Sequence, residues 1–154
     1  MEYITNSAEE TQELAKNMAE TLKGGEIFIL TGDLGAGKTT FIQGLAKGLG
    51  VKERLTSPTF VLMKRYKTGV RHDVSGQNVN SMSLLYLVHI DCYRIESSVA
   101  LSDLGLDEIF EDKRNVVVIE WGERIENIIP NYYRKIKFGY LDESKRRIVI
   151  LRTN

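Results

Sequence analysis

Gly32-Asp33-Leu34-Gly35-Ala36-Gly37-Lys38-Thr39 carries its glycines, lysine and threonine at the spacing G-x-x-x-x-G-K-[S/T]. Residues of these types at this spacing can hold a polyphosphate. Glycines let successive backbone N–H groups turn inward around an anion with no Cβ in the way. Lys38 adds a mobile point charge for β- and γ-phosphates. The Thr39 hydroxyl suits Mg²⁺, a hard ion that prefers oxygen. Two carboxylates later in the chain extend the set. Glu120 closes the apolar run Val116-Val117-Val118-Ile119, and an acid at such a strand edge can face a phosphate-bound Mg²⁺. Alone this pattern is weak, because many strands end in an acid; the phosphate loop in the same chain gives it a metal role. Asp91 ends the run Leu84–Ile90. There it can hold the metal's water or orient an attacking water, or it can act as an N-cap or turn acceptor.

These side chains need elements to carry them. Ile27-Phe28-Ile29-Leu30 reads as a strand entering the loop, and Phe41, Leu45 and Leu49, with Ile42 and Ala46, give the following segment helical spacing. Strand, glycine loop and helix, in that order, are the context the motif requires. The helix aims its N-terminal N–H groups and positive dipole end at the same anion. Upstream, Ser7-Ala8-Glu9-Glu10 is a capping box opening a helix with Leu14, Met18, Leu22, Ala15 and Ala19 on one stripe, ended by Gly24-Gly25. This helix can cover the sheet or lie beside a nucleotide base. Ser57-Pro58-Thr59 opens a strand-like segment through Tyr66. The tripeptide is either a turn or the source of a hydroxyl, from Ser57 or Thr59, that senses Mg²⁺ and γ-phosphate.

Thr68–Ser83 is rich in Gly, Asn, Ser and Asp and reads as a long exposed loop between two strands. Within it, Asp73-Val74-Ser75-Gly76 matches D-x-x-G by coincidence. In Leu84–Asp91, His89 and Asp91 share a face; His89 reads as a satisfied structural histidine or as part of a site. Val116–Glu120 reads as a strand buried on both faces. Glu123–Ile129 reads as a short amphipathic helix stopped by Pro130. Tyr132–Tyr140 and Arg147–Arg152 alternate and form a hairpin, so the sheet is partly antiparallel. Lys145-Arg146-Arg147 is a solvated tip or reaches a nucleotide phosphate. The expected architecture is a single α/β domain over residues 1–154: three layers of the P-loop NTPase type, with a mixed central β-sheet and helices on both faces.

Composition narrows the class. Hydrophobic residues make up 42% and charged residues 27%, as in ordinary globular proteins. Lys and Arg total 21, and Asp and Glu total 21; with no basic excess, a dedicated nucleic-acid or membrane-surface binder is disfavoured. One cysteine, Cys92, excludes an internal disulfide. With an acidic, polar N-terminus and no membrane-length apolar run, a reducing, cytoplasmic setting is expected.

GDLGAGKTTF at Gly32–Phe41, SPTF at Ser57–Phe60, HIDCYR at His89–Arg94, LGLDE at Leu104–Glu108 and IEW at Ile119–Trp121 occur in this order. The set resembles the bacterial TsaE proteins (YjeE/YdiB) nearly end to end. The resemblance implies an ATPase that works with TsaB and TsaD to form threonylcarbamoyladenosine in tRNA, beside the anticodon, with tRNA reached indirectly. It implies that Gly35, Ala36, Gly37, Lys38, Thr39 and Thr40 hold the phosphates of ATP or ADP and that Thr39 and Glu120 hold Mg²⁺. Asp91 is then tied most directly to hydrolysis, with Lys38 and Glu120 beside it. Trp121 sits by the site, Thr11 near the adenine, and Arg146 against the nucleotide. Thr68–Ser83 is longer than the family pattern suggests. A small-molecule kinase and a nucleotide-switched binding module are the alternatives; a GTPase is excluded because no N-K-x-D is present.

Overall fold

The apolar run at Ile27–Leu30 becomes the middle of a seven-stranded sheet. The computed structural model describes residues 1–56, 58, 62–75, 82–96, 101 and 104–152. Its strands are β1 (Glu2–Thr5), β2 (Ile27–Thr31), β3 (Met63–Asp73), β4 (Met82–Asp91), β5 (Asn115–Glu120), β6 (Arg134–Tyr140) and β7 (Arg146–Arg152), in the spatial order β1-β7-β6-β2-β5-β4-β3. β2 lies parallel to both β5 and β6, and β4 lies parallel to β5. The β1–β7, β6–β7 and β3–β4 pairings are antiparallel. The expected mixed sheet is present, and its parallel centre is buried on both faces, as runs of β-branched residues require.

Two helices share one face. α1 (Ala8–Ala19) and α2 (Lys38–Gly48) bury Ala15, Ala19, Phe41 and Leu45 against Phe28, Leu30, Val116, Val118 and Ile136. The other face carries α3 (Leu106–Glu111) and two three-residue 3-10 turns, Gly122–Arg124 and Glu126–Ile128. There Phe110, Ile125 and Ile129 meet Ile27, Ile29, Val117 and Ile119. The cap of α1 forms as its sequence dictates, with the Ser7 hydroxyl accepting from the Glu10 backbone N at 3.2 Å. The Glu10 carboxylate turns instead to Asn6, accepting from its backbone N at 2.8 Å and its Nδ2 at 2.9 Å.

Close approach of α1 and α2 depends on glycine. A Cβ on Gly44 would fall 2.2 Å from the Gln12 carbonyl oxygen, and that atom is backbone and cannot step aside. Gly44→Ala is therefore expected to destabilise the fold by about 1–3 kcal/mol, since overpacking outweighs the better helix propensity of alanine. Urea unfolding checks this; an unchanged or higher midpoint would show that the helices are not pinned there.

One strand carried no expectation, and two local expectations are corrected. The N-terminal residues form the edge strand β1, pairing Glu2 with Val149 through Thr5 with Arg146. The Glu123–Ile129 segment is not one helix. Ile125, at φ −128, separates two 3-10 turns, and Ile129, held extended at ψ 135 by the following Pro130, ends the second. Thr68–Ser83 is not loop throughout: Thr68–Asp73 continues β3, and Met82 and Ser83 already belong to β4. The glycine that suggested a loop marks a bulge between Lys67 and Arg71. There Thr68 is buried with its hydroxyl donating to the Leu85 carbonyl at 2.7 Å. The backbone N of Gly69 donates to the Leu49 carbonyl at 2.9 Å, tying the bulge to the end of α2.

Candidate nucleotide site

β2 delivers the glycine loop to the C-terminal edge of the parallel strands, where ligands sit in open α/β sheets. Gly37 caps α2 at φ 103, a left-handed conformation that a Cβ would strain. No side chain caps this helix and its first turn holds no acid, so its positive end is kept for an external anion. The loop is braced from outside by the β6–β7 hairpin. The Tyr140 hydroxyl donates to the Leu34 carbonyl at 2.9 Å, and a Cβ on Gly35 would lie 2.7 Å from that hydroxyl oxygen.

Lys38 is only 4% exposed. Its Nζ donates to the carbonyls of Gly32 at 2.6 Å and Asp33 at 3.0 Å and lies 4.2 Å from the centre of the Trp121 ring. Burial pushes the ammonium below its ordinary pKa, against the pull of Glu120, Glu123, Asp91 and Asp33. A buried cation in this position is stabilised by an arriving phosphate. Trp121 adopts φ 58, unusual for any residue but glycine. The turn it makes places its indole beside Lys38 and 5.1 Å from the Tyr93 ring.

Opposite the loop, the parallel β4–β5 register sets Asp91 beside Glu120. Glu120 is 4% exposed, and the Thr39 hydroxyl lies 3.3 Å from each of its carboxylate oxygens. A hydroxyl and a carboxylate, converging beside a phosphate loop, are the hard-oxygen donors Mg²⁺ takes, with water and phosphate completing its shell. Among the described residues no cluster of three His, Cys, Asp or Glu forms a fuller cage, and Mg²⁺ needs none. Asp91 Oδ1 accepts from the Tyr93 backbone N at 2.9 Å, so the turn-acceptor reading holds, and its carboxylate also lines the cleft. Cys92 is an inert buried thiol, pushed up to about 12 chiefly by burial.

The cleft has a volume of about 320 Å³. Gly35, Gly37, Lys38, Thr39, Thr40, Asp91, Glu120 and Trp121 all line it, so most of the expected site is assembled at one place. Ala36 is buried behind the loop, its N–H donating to the Asp33 carbonyl at 3.1 Å. Thr11 is not a cleft wall: it is 1% exposed, and its hydroxyl lies 2.7 Å from that of Thr5 and 3.1 Å from the Ser7 carbonyl. Arg146 is near the loop, but its Nη1 donates to the carbonyls of Asp142, Glu143 and Lys145, and its guanidinium lies 4.4 Å from the Tyr140 ring centre. Ser57 and Thr59 lie outside the described residues. Sequence reasoning did not assign Leu34, Leu62, Tyr93, Arg94 or the Tyr140 brace to the site. Tyr93 and Arg94 carried a signal, since they continue the polar strand end begun by His89 and Asp91; Tyr140 carried none.

Residues 5–148 match the model of the family described as threonylcarbamoyl adenosine biosynthesis protein TsaE. The chain belongs to the TsaE family. It is 38% identical over 148 residues to the tRNA threonylcarbamoyladenosine biosynthesis protein TsaE of Bacillus subtilis, covering 96% of this chain and 83% of that one. It is 35% identical to the TsaE of Treponema pallidum, covering 97% and 99%. The crystal structure of Bacillus subtilis YdiB superposes with a TM-score of 0.76 at 32% identity, covering 100% of this chain and 86% of that one. The TsaE fold seen here is thus the P-loop NTPase-like α/β fold expected. No helix among its described residues is long and apolar enough to cross a membrane.

Proposed function

We propose that this TsaE-family chain is an Mg²⁺-dependent ATPase. It binds ATP at the glycine loop, hydrolyses it, and so supports tRNA N6-threonylcarbamoyladenosine formation next to the anticodon, in the cytoplasm. Its partners are TsaB and TsaD, and tRNA is engaged through them. The observation that carries the reading is the convergence on one cleft of the glycine loop with buried Lys38, the Thr39–Glu120 pair and Asp91.

Each residue has a role in that chemistry. Loop N–H groups and Lys38 hold the β- and γ-phosphates and offset charge as it spreads over the transferring group. Thr39 and Glu120 would hold Mg²⁺, which when bound would supply neutralisation of phosphate charge. Asp91 accepts a hydrogen bond from the attacking water and aims it at the γ-phosphorus. The water oxygen bonds to that phosphorus as the phosphorus bond to the β,γ-bridging oxygen breaks; the electron pair leaves with ADP, and the water proton passes to Asp91 and on to the phosphate, giving ADP and inorganic phosphate. Trp121 and Tyr93, their rings 5.1 Å apart, line the cleft beside Lys38 and Glu120.

Phosphate release measured with ATP alone, then with candidate small acceptors, then with TsaB and TsaD, tests the reading. Slow release by the isolated chain, increased by the two proteins, is expected, because phosphoryl-transfer sites with incomplete charge stabilisation often await a partner. Transfer of phosphate to a small acceptor would make the chain a kinase. Nucleotide binding without any release under all three conditions would make it a switched binding module.

A further inference from the structure

His89 is a buried ionisable residue beside the site, and the proposed chemistry leaves it without a task. It lies on β4, 0% exposed, on the same face as Asp91. Its Nε2 sits 2.8 Å from Glu120 Oε1. Its Nδ1 is equally buried and has no hydrogen-bond partner among the described residues.

That asymmetry fixes the proton. A proton on Nδ1 would leave a buried N–H unsatisfied and set the Nε2 lone pair against a carboxylate lone pair. A proton on Nε2 donates to Glu120 at 2.8 Å, and a bare, buried Nδ1 costs less than a buried donor left without an acceptor.

We propose that His89 is the positioning residue for Glu120: its Nε2–H holds one carboxylate oxygen and so fixes the orientation in which Glu120 meets the Thr39 hydroxyl and a bound Mg²⁺. Donation to a carboxylate ligand from behind is how outer-shell groups orient metal ligands. The Thr39 hydroxyl lies equally far, 3.3 Å, from both carboxylate oxygens and selects neither, whereas His89 singles out Oε1. The proposal rests on the Mg²⁺–ATP reading of the cleft, and its test separates the two.

The test compares the affinity of the non-hydrolysable β,γ-imido analogue of ATP with and without Mg²⁺, by calorimetry, in the native chain, His89→Phe and His89→Gln. The native chain should bind more tightly with Mg²⁺. His89→Phe should lose roughly 10-fold or more of that gain, the scale of outer-shell substitutions, while its Mg²⁺-free affinity stays native. His89→Gln, which keeps an N–H near the Nε2 position, should recover most of the gain. Equal gains in all three, or losses in His89→Phe that fall alike with and without Mg²⁺, would overturn the proposal. Absence of any gain in the native chain would instead count against Mg²⁺ use itself. Nitrogen NMR of the native, nucleotide-free protein decides the hydrogen bond independently of any variant's folding. Expected is a proton on Nε2 in a hydrogen bond, and a ring carrying its proton on Nδ1 alone would overturn the assignment.

Discussion

Asp91→Asn is expected to lower ATP turnover roughly 100- to 10,000-fold, the range spanned by a positioned acid–base group, and to leave nucleotide affinity close to native. The substitution is suited to the question because the amide oxygen of Asn can still accept from the Tyr93 backbone N, as Asp91 Oδ1 does at 2.9 Å. The turn that ends β4 is therefore retained, and so is the register that sets position 91 beside Glu120. What is lost is the second role of the carboxylate, its basicity toward water. Single-turnover hydrolysis with binding measured in parallel checks this. A variant that hydrolyses at the native rate would reduce Asp91 to a turn residue, and one that loses binding in step with turnover would place it in phosphate recognition.

Glu120→Gln is expected to reduce Mg²⁺-dependent hydrolysis by roughly 150-fold, the effect of losing about 3 kcal/mol of metal-borne transition-state stabilisation. The side chain keeps its shape, and a Gln carbonyl can accept from His89 Nε2 where Glu120 Oε1 does now. The fold should survive, which a thermal unfolding scan shows directly. Excess Mg²⁺ should restore part of the rate, because the amide oxygen remains a weak oxygen donor. Unfolding of the variant in place of loss of turnover would make Glu120 a structural carboxylate of the β4–β5–α2 junction.

The parts of the site legible in the sequence were those fixed by local chemistry. The glycine loop needs its residue types at fixed spacing, so Gly35, Gly37, Lys38 and Thr39 could be read directly, and all line the cleft. Glu120 and Asp91 were readable as acids ending apolar strands. What joins them is the β4–β5 register, a contact between residues 29 positions apart in sequence that no local pattern encodes. Tyr140 was hidden for the same reason, since the hairpin touches the loop across 106 residues. The helix that carries Thr11 lies where expected; its hydroxyl bonds the Ser7 carbonyl one turn back and the Thr5 hydroxyl, the latter a contact that β1 makes available. The Thr68–Asp73 strand was misread because a glycine at a bulge has the composition of a loop; its strand identity comes from the antiparallel β3–β4 ladder, which pairs Arg71 with Leu84, His72 with Ser83 and Asp73 with Met82.

The measurement that bears most directly on the whole account is a calorimetric titration of ATP with Mg²⁺ into the native chain and into Lys38→Ala. Lys38 is buried, and an arriving phosphate offsets its desolvation. Its removal deletes a charge-assisted contact of about 2 kcal/mol, roughly 30-fold in affinity. One saturable site in the native chain, weakened by about that factor in Lys38→Ala, is the predicted result. No binding to the native chain, or equal affinity in the two, would contradict nucleotide binding at the glycine loop.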